Sequence, residues 1–205
     1  MKHSCRAALL ALLALATAAF AQGSSKALFL IARPGMPDPN FRETVVLVTQ
    51  EESAEATGVV VNRPSNRSLA EVLPGERFKP FKEPIFFGGP VAPQGLFAVF
   101  QADRFSGAAV RMLPGLYLAV VPDSIDALLN NPPPKIRFFS GYSGWAPGQL
   151  QAELDRGDWL VVDADAETVF QKDTSRLWQD MVRRASAVRA DAAALRYRRP
   201  TSSSR

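Results

Sequence analysis

Apolar residues along the chain fall into short runs that indicate strands more often than helices. The first run, Ala27 to Ala32, is nearly continuous and is typical of a strand buried on both faces. Further apolar or β-branched runs predict strands over residues 44–48, 58–61, 85–87, 96–100, 116–121, 135–139 and 158–162. Because short connections separate the first three runs, we expect these strands to pair as an antiparallel meander.

Helix signals occur at four places between the strands. They are a capping box at Ser68 to Glu71, an N-cap at Asp123 for residues 124–129, Pro147 in a first turn with Gly157 as C-cap, and an apolar stripe within residues 174–185. All four predicted helices are short.

The most densely specified stretch runs from Arg137 to Trp159. The pattern predicts a strand, a glycine-rich turn, a short helix and a second strand. Gly141 and Gly144 bracket Tyr142 and Ser143, which indicates a backbone that is tight or closely approached by another segment.

The order of these elements favours an α+β fold over a doubly wound parallel sheet. Helical crossovers between the early strands are mostly missing, and parallel pairs need such crossovers. We found no internal repeat and no linker within residues 26–185 that would divide two domains. The sequence therefore predicts a single domain over residues 26–185.

Four sequence blocks in this domain carry a family resemblance. They are residues 30–46 (LIARPGMPDPNFRETVV), 57–64 (TGVVVNRP), 86–91 (FFGGPV) and 141–153 (GYSGWAPGQLQAE). In this order they resemble the YqgE/AlgH family. The resemblance implies a bulged, mainly antiparallel meander sheet that curls into a pseudo-barrel flanked by short helices. It implies no agreed active site.

The N-terminus has the three parts of a secretory signal peptide. Lys2 and Arg6 provide the basic start, residues 7–20 are an uncharged apolar run, and Ala19 and Ala21 occupy the −3 and −1 positions of a cleavage site. A membrane anchor is the alternative, but 14 residues are short for a span. We expect residues 1–21 to be removed and the mature protein to be periplasmic or secreted, with no transmembrane span.

Cleavage would remove His3 and Cys5, which are the only histidine and the only cysteine. The mature chain would then lack the ligands of His- or Cys-based metal sites and the base of a Ser-His-Asp triad. Ser143 therefore has no imidazole to activate it, although Gly141 to Gly144 superficially resembles a nucleophile elbow. We expect no cofactor and no metal.

Charge is concentrated at the C-terminus. From Arg183 onwards the sequence carries seven arginines and one acidic residue, whereas residues 22–182 carry 15 basic and 19 acidic residues. The overall basicity is therefore not evidence of a nucleic-acid-binding face on the body. Residues 186–205 are predicted to be a basic, mobile tail, with contacts to anionic lipid, polysaccharide or nucleic acid as the alternative.

The candidate site residues lie at the expected ends of strands, where loops can bring distant segments together. They are Asn62, Arg63, Gly88, Gly89, Gly141, Tyr142, Ser143, Trp145 and Gln149. We expect the blocks that carry them to converge in space and to form one ligand or partner site.

Each candidate also has a structural interpretation, which the residue types favour. Arg63 can bind an anion or satisfy loop carbonyls, and a mostly exposed side chain is expected there. The Gly88–Gly89 pair can present N–H groups to a phosphate or form a plain turn. Tyr142 and Trp145 can stack on a ligand or belong to the core.

Three functions remain open on these grounds. The one we favour is an exported, non-catalytic binding or regulatory module with a protein or small-molecule partner and no nucleic acid. The second is a histidine-independent enzyme that acts on a small exported substrate. A pocket lined by Arg33, Arg42, Arg63 and Glu153 would favour this function. The third is a cytoplasmic transcriptional regulator, if the N-terminus is not a signal peptide.

Export distinguishes the first two functions from the third, because only a cytoplasmic protein could be a transcriptional regulator. N-terminal sequencing of the protein from fractionated cells should show a periplasmic or secreted form that begins at Gln22. A chain that retains Met1 in the cytoplasmic fraction would contradict export and support a regulatory function.

Overall fold

The structure is a computed structural model of the full chain, and it describes residues 27–49 and 55–197, with side chains up to residue 190. The predicted signal peptide, its cleavage site at Ala19 and Ala21, and residues 198–205 of the predicted tail lie outside the described residues. The fold is therefore given for the part of the chain that corresponds to the predicted domain and the beginning of the tail.

Ten strands form the central sheet. They are β1 (Ala27–Ala32), β2 (Val45–Thr49), β3 (Ala56–Val60), β4 (Pro64–Ser68), β5 (Pro84–Phe87), β6 (Val91–Gln101), β7 (Ala109–Leu113), β8 (Leu116–Ala119), β9 (Ile136–Trp145) and β10 (Trp159–Asp163). Their main path is β10-β1-β2-β3-β9-β6-β8-β7, with β4 and β5 attached beside it. The sheet curls into a half-barrel, so the predicted α+β class and the curled meander are confirmed.

The first three strands pair in the predicted antiparallel meander. In β1, Leu28 to Ile31 face Val48 to Val45 of β2, and Val46 to Thr49 of β2 face Val60 to Thr57 of β3. β2 is buried along its whole length, as a β-branched run between two neighbouring strands should be. All pairs are antiparallel except β5 with β9, where Phe86 and Phe87 face Phe139 and Ser140 in parallel.

Strand β9 is longer than its sequence pattern predicts. The apolar run indicated an end at Phe139, followed by a glycine turn, but β9 continues through both glycines to Trp145. Gly141 has a φ of +71° and lies where the pairing with β6 shifts register, with the extra residues on β6 between Val91 and Leu96. As a result, Phe139 and Tyr142 both pack on the largest core cluster although three positions separate them.

Five helices and one 3₁₀ turn lie beside the sheet. They are α1 (Leu69–Val72), α2 (Pro122–Asn130), α3 (Gln149–Arg156), α4 (Ala166–Val169), α5 (Leu177–Tyr197) and the turn Glu76–Phe78. In the described part of the chain, none of these helices is long and apolar enough to cross a membrane.

Two of the predicted helix caps are confirmed and one is wrong. Ser68 and Glu71 form the capping box of α1, and Gly157 closes α3 with a φ of +78°. Helix α2 begins at Pro122 with Val121 as its N-cap, so Asp123 lies in the first turn and is not the cap. Proline fits the first helical position because its missing N–H would be unpaired there in any case.

Three elements have no counterpart in the sequence prediction. β4, with the sequence PSNRS, is polar and mostly exposed, so it lacks the apolar alternation that marks a strand. β7 and α4 are short, and neither showed a strong pattern. Helix α5 also extends beyond the predicted end at residue 185, to Tyr197.

The core consists of three clusters distributed over the faces of the curled sheet. The largest lies under α5 and contains Phe29, Leu47, Phe139 and Met181. A second cluster, around Trp145, Trp159 and Leu150, lies under α3. The third lies under α1 and α2.

Candidate functional site

The predicted site blocks meet where the connection between β5 and β6 crosses over β9. A Cβ atom on Gly88 would lie less than 3.0 Å from the Gly141 carbonyl oxygen, and one on Gly89 would clash with the Tyr142 carbonyl in the same way. A Cβ atom on Gly141 would in turn meet the Gly89 carbonyl. Only glycine leaves enough room for two backbones at this separation, which explains all three residues.

Hydrogen bonds fix the crossing from both sides. The Gly88 N–H donates to the Ser140 carbonyl at 2.9 Å, and the Gly88 carbonyl accepts from the Val60 N–H and the Ser143 hydroxyl, both at 2.9 Å. The Phe87 N–H donates to the Arg63 carbonyl at 2.8 Å. The backbones of the three predicted blocks therefore lie side by side, while ligand binding by them stays a prediction.

The side chain of Asn62 is used to shape the loop before β2. Its Oδ1 accepts from the Val45 N–H at 2.8 Å, and its Nδ2 donates to the Glu43 carbonyl at 2.9 Å. Glu43 has a φ of +56°, which is unusual for a residue other than glycine. Asn62 therefore holds Glu43 in a left-handed backbone conformation.

Arg63 fixes the same loop further along the chain. Its guanidinium donates to the carbonyls of Asn40, Pro39 and Arg42, at 3.3 Å and 2.8 Å for the last two. The expectation of a mostly exposed side chain was wrong, since the residue is half-buried and satisfies loop carbonyls. Partial burial lowers the pKa of Arg63, and the nearby Asp38 carboxylate opposes this change.

Trp145 and Gln149 belong to a network centred on the Glu153 carboxylate. The indole N–H groups of Trp145 and Trp159 both donate to Glu153 Oε2 at 2.8 Å, and Gln149 Nε2 donates to Oε1 at 2.9 Å. Phe41 packs against both indole rings, with centroids 5.9 and 5.4 Å away. The network joins α3 to the ends of β9 and β10, so the core interpretation of Trp145 is the one the structure supports.

Tyr142 is the candidate whose polar group has no assigned partner. Its ring packs on Phe97 with a centroid distance of 5.2 Å and stays partly exposed. Among the described residues its hydroxyl makes no hydrogen bond. Tyr142 therefore combines a fixed ring with a hydroxyl that can still donate or accept.

A cleft of about 350 Å³ opens beside Asn62, and we call it the corner cleft. Glu43, Asn62 and Pro64 form one wall, and the other wall comes from the segment before α5 and its first turns. The residues of that second wall are Lys172, Asp173, Thr174, Ser175, Trp178 and Gln179. The sequence analysis did not identify this second wall, because it lies outside the four blocks and residues 174–185 indicated only a helix with an apolar stripe.

The cleft presents charged groups of both signs. Hydrogen bonds from the Ser175 hydroxyl and, at 3.0 Å, from the Ser175 N–H lower the pKa of Asp173. The Trp178 indole donates to the Ala32 carbonyl at 2.8 Å, so its ring can contribute only an apolar surface to the cleft. Glu43 and Lys172 are exposed and complete the lining.

Arg137 is a buried charged residue that sequence reasoning did not single out. Only 3% of it is exposed, and its guanidinium donates to the carbonyls of Val169 and Gln171 at 2.6 and 3.0 Å. Its guanidinium carbon lies 4.2 Å from the centroid of the Phe86 ring. Desolvation lowers the Arg137 pKa, with Glu83 acting in the opposite direction. It joins β9 to the end of α4 and has no free surface for a ligand.

Acidic side chains do not gather into a metal site in the described part of the chain. Over residues 27–49 and 55–190, no group of three or more His, Cys, Asp or Glu residues could hold a metal ion. The expectation of no metal and no cofactor remains a prediction.

Comparisons with known proteins agree with this geometry. The family model described as AlgH-like matches residues 29–188. A UPF0301 protein from Myxococcus xanthus is 37% identical over 158 residues, which cover 75% of this chain and 87% of the relative. A UPF0301 protein from Xylella fastidiosa strain Temecula1 is 37% identical over 156 residues, with 73% and 83% covered.

Two solved structures share the fold. The solution structure of the AlgH protein from Pseudomonas aeruginosa is 33% identical and has a TM-score of 0.63, covering 77% of this chain and 87% of that one. A crystal structure of a protein from Corynebacterium diphtheriae is 25% identical with a TM-score of 0.63, covering 78% and 86%. The relatives' names state no ligand, reaction or partner.

The arginine clamp leads to a stability prediction. Replacing Arg63 with alanine should lower the free energy of unfolding by about 2 kcal/mol, because three carbonyls lose a charged donor. Arg67, an exposed arginine four positions on, is the matched control, and Arg67→Ala should change stability by less than about 0.5 kcal/mol. Urea denaturation measures both. Equal, small effects of the two substitutions would contradict the clamp.

Proposed function

The chain belongs to the AlgH-like family, and we propose that it is an exported, non-catalytic binding module that holds a small polar ligand in the corner cleft. The cleft combines residues of two of the family-like blocks, Glu43 from the first and Asn62 and Pro64 from the second. Its volume of about 350 Å³ lies within the usual range for small-molecule sites.

The observation that carries this proposal is the backbone of Glu43. Its φ of +56° is unfavourable for a residue with a side chain, by roughly 1–2 kcal/mol. Two hydrogen bonds from the Asn62 side chain hold the segment in place. Strained residues that a fold holds in place concentrate at functional sites. The strain here turns an exposed carboxylate towards a cleft, and a purely structural turn would be better served by glycine.

The charges of the cleft define the ligand class. Lys172 offers an ammonium group, Glu43 and Asp173 offer carboxylates, and Gln179 offers an amide that can donate and accept. The Trp178 ring adds an apolar surface next to them. A small ligand that carries both a cationic and an anionic group, or several amide groups, would match this lining best.

Binding is supported over catalysis by the use of the remaining polar groups. The enzyme hypothesis needed Arg63 and Glu153 to line one pocket, but Arg63 is bound to loop carbonyls and Glu153 accepts from two indoles and an amide. These hydrogen bonds hold the Arg63 and Glu153 side chains in contacts that stabilise the fold. Export rests on the N-terminal sequence pattern alone and is tested separately, by the N-terminal sequencing described above.

Native mass spectrometry tests the ligand proposal. The purified mature protein is incubated with the low-molecular-mass fraction of a periplasmic extract and analysed without denaturation. We expect a bound species of defined mass on the wild-type protein. That species should be lost in Lys172→Glu and in Glu43→Gln, since the first reverses one charge of the cleft and the second removes one.

The matched control is Lys82→Glu, which makes the same charge change at an exposed lysine outside the cleft. It should retain the bound mass. An adduct that survives all three substitutions would place the ligand elsewhere. A protein that binds no component of the extract would contradict the proposed function.

A further inference from the structure

A second cleft lies between the loop that follows β6 and the end of α2, and we call it the aromatic cleft. Its volume of about 530 Å³ exceeds that of the corner cleft and lies within the range of small-molecule sites. One wall includes Arg104, Phe105 and Ser106, and the other includes Asn131 and the prolines at positions 132–134. Among the described residues, none lines both clefts, so the aromatic cleft is a separate site.

The first wall of the aromatic cleft presents an aromatic ring that is held in place. Phe105 is half-buried, and its ring meets the fully buried Phe100 ring edge-on at a centroid distance of 4.8 Å. Phe100 in turn stacks on Tyr117 at 5.6 Å. A Cβ atom on Gly107 would lie 2.6 Å from the Phe105 ring, so glycine is required there for the ring to occupy its position. The cleft therefore has a fixed aromatic surface.

The opposite wall is rigid for a different reason. Three consecutive prolines follow Asn131, and each pyrrolidine ring fixes its own φ angle. Helix α2, which precedes them, is anchored by Leu128 and Leu129 in the core cluster under α1 and α2. Because both walls are ordered without a ligand, binding in the aromatic cleft would cost little conformational entropy of the protein.

The polar groups of the aromatic cleft are free to bind a ligand. Arg104 is the one charged residue among the described residues that line it. In the part of the chain that the structure describes, the Arg104 guanidinium has no ion pair and no hydrogen bond, and neither the Ser106 hydroxyl nor the Asn131 amide has a hydrogen bond. Arg63 and Arg137 differ from Arg104, because both donate to backbone carbonyls. A guanidinium suits a carboxylate, and the hydroxyl and the amide can add further hydrogen bonds.

We propose that the aromatic cleft binds a small aromatic carboxylate. The ring of the ligand packs between Phe105 and the proline wall, and its carboxylate pairs with Arg104. Inorganic phosphate would also attract Arg104, but it leaves the aromatic and proline surfaces unused. A neutral hydrocarbon would fill the cleft and leave the guanidinium without a partner. This site goes beyond the function proposed for the corner cleft and does not depend on it.

Titration with 2-naphthoate, followed by NMR of the isotopically labelled protein, tests the proposal. We expect saturable shifts of the amide signals of residues 102–107 and 127–131, with those of residues 172–179 at the corner cleft unchanged. The neutral analogue 2-naphthylmethanol has the same ring system without the carboxylate. It should bind about tenfold more weakly, because the charged hydrogen bonds to Arg104 are lost.

Two substitutions of exposed arginines identify the group that binds the carboxylate. Arg104→Gln should weaken the binding of 2-naphthoate by about tenfold and should remove the preference for 2-naphthoate over 2-naphthylmethanol. The matched control is Arg111→Gln, which makes the same change at an exposed arginine outside the cleft. It should keep the dissociation constant within about twofold of the wild-type value.

Phe105→Leu tests the aromatic wall, since leucine keeps most of the apolar volume and loses the ring face. It should weaken the binding of both naphthalene compounds by roughly threefold. The melting temperature of each variant shows whether a loss of binding comes from unfolding. The proposal is overturned by equal affinity of the wild type for the two compounds, by an equal loss in Arg104→Gln and Arg111→Gln, by shifts that map to residues 172–179, or by the absence of saturable shifts.

Discussion

The architecture depends on one close contact, in which the connection from β5 to β6 passes directly over Gly141. The two backbones approach so closely that Gly88, Gly89 and Gly141 have no space for a Cβ atom. This crossing lets β5 pair in parallel on one side of β9 while β6 pairs antiparallel on the other. The Gly88 carbonyl also accepts from the Val60 N–H of β3. The crossing therefore positions three strands that pair with β9, namely β3, β5 and β6.

Polar side chains from the same sequence blocks fix the segments around this crossing. Asn62 and Arg63 fix the loop before β2, and Glu153 fixes α3 through two indole groups. The residues described from the blocks that mark the family therefore have mainly structural roles. The corner cleft proposed for ligand binding uses residues that are mostly outside these blocks.

The parts of the fold that depend on local chemistry could be predicted. A few adjacent residues are enough to predict the buried runs of β1 and β2, the Ser68–Glu71 capping box and the left-handed Gly157. The passage of β9 through Gly141 could not be predicted, because Gly89, whose carbonyl excludes a side chain there, is 52 residues away in the sequence. The corner cleft was missed for the same reason, since Glu43 and Lys172 are brought together only by the complete sheet and by α5.

Amide hydrogen exchange measures the central contact most directly. The N–H groups of Gly88 and Val60 donate across the crossing, to the carbonyls of Ser140 and Gly88. If this crossing holds the sheet together, both amides should exchange only when the whole protein unfolds, at a free energy equal to that of global unfolding and together with the β1–β2 amides. Exchange of Gly88 and Val60 at the rate of an exposed loop, with the β1–β2 amides still protected, would contradict this account.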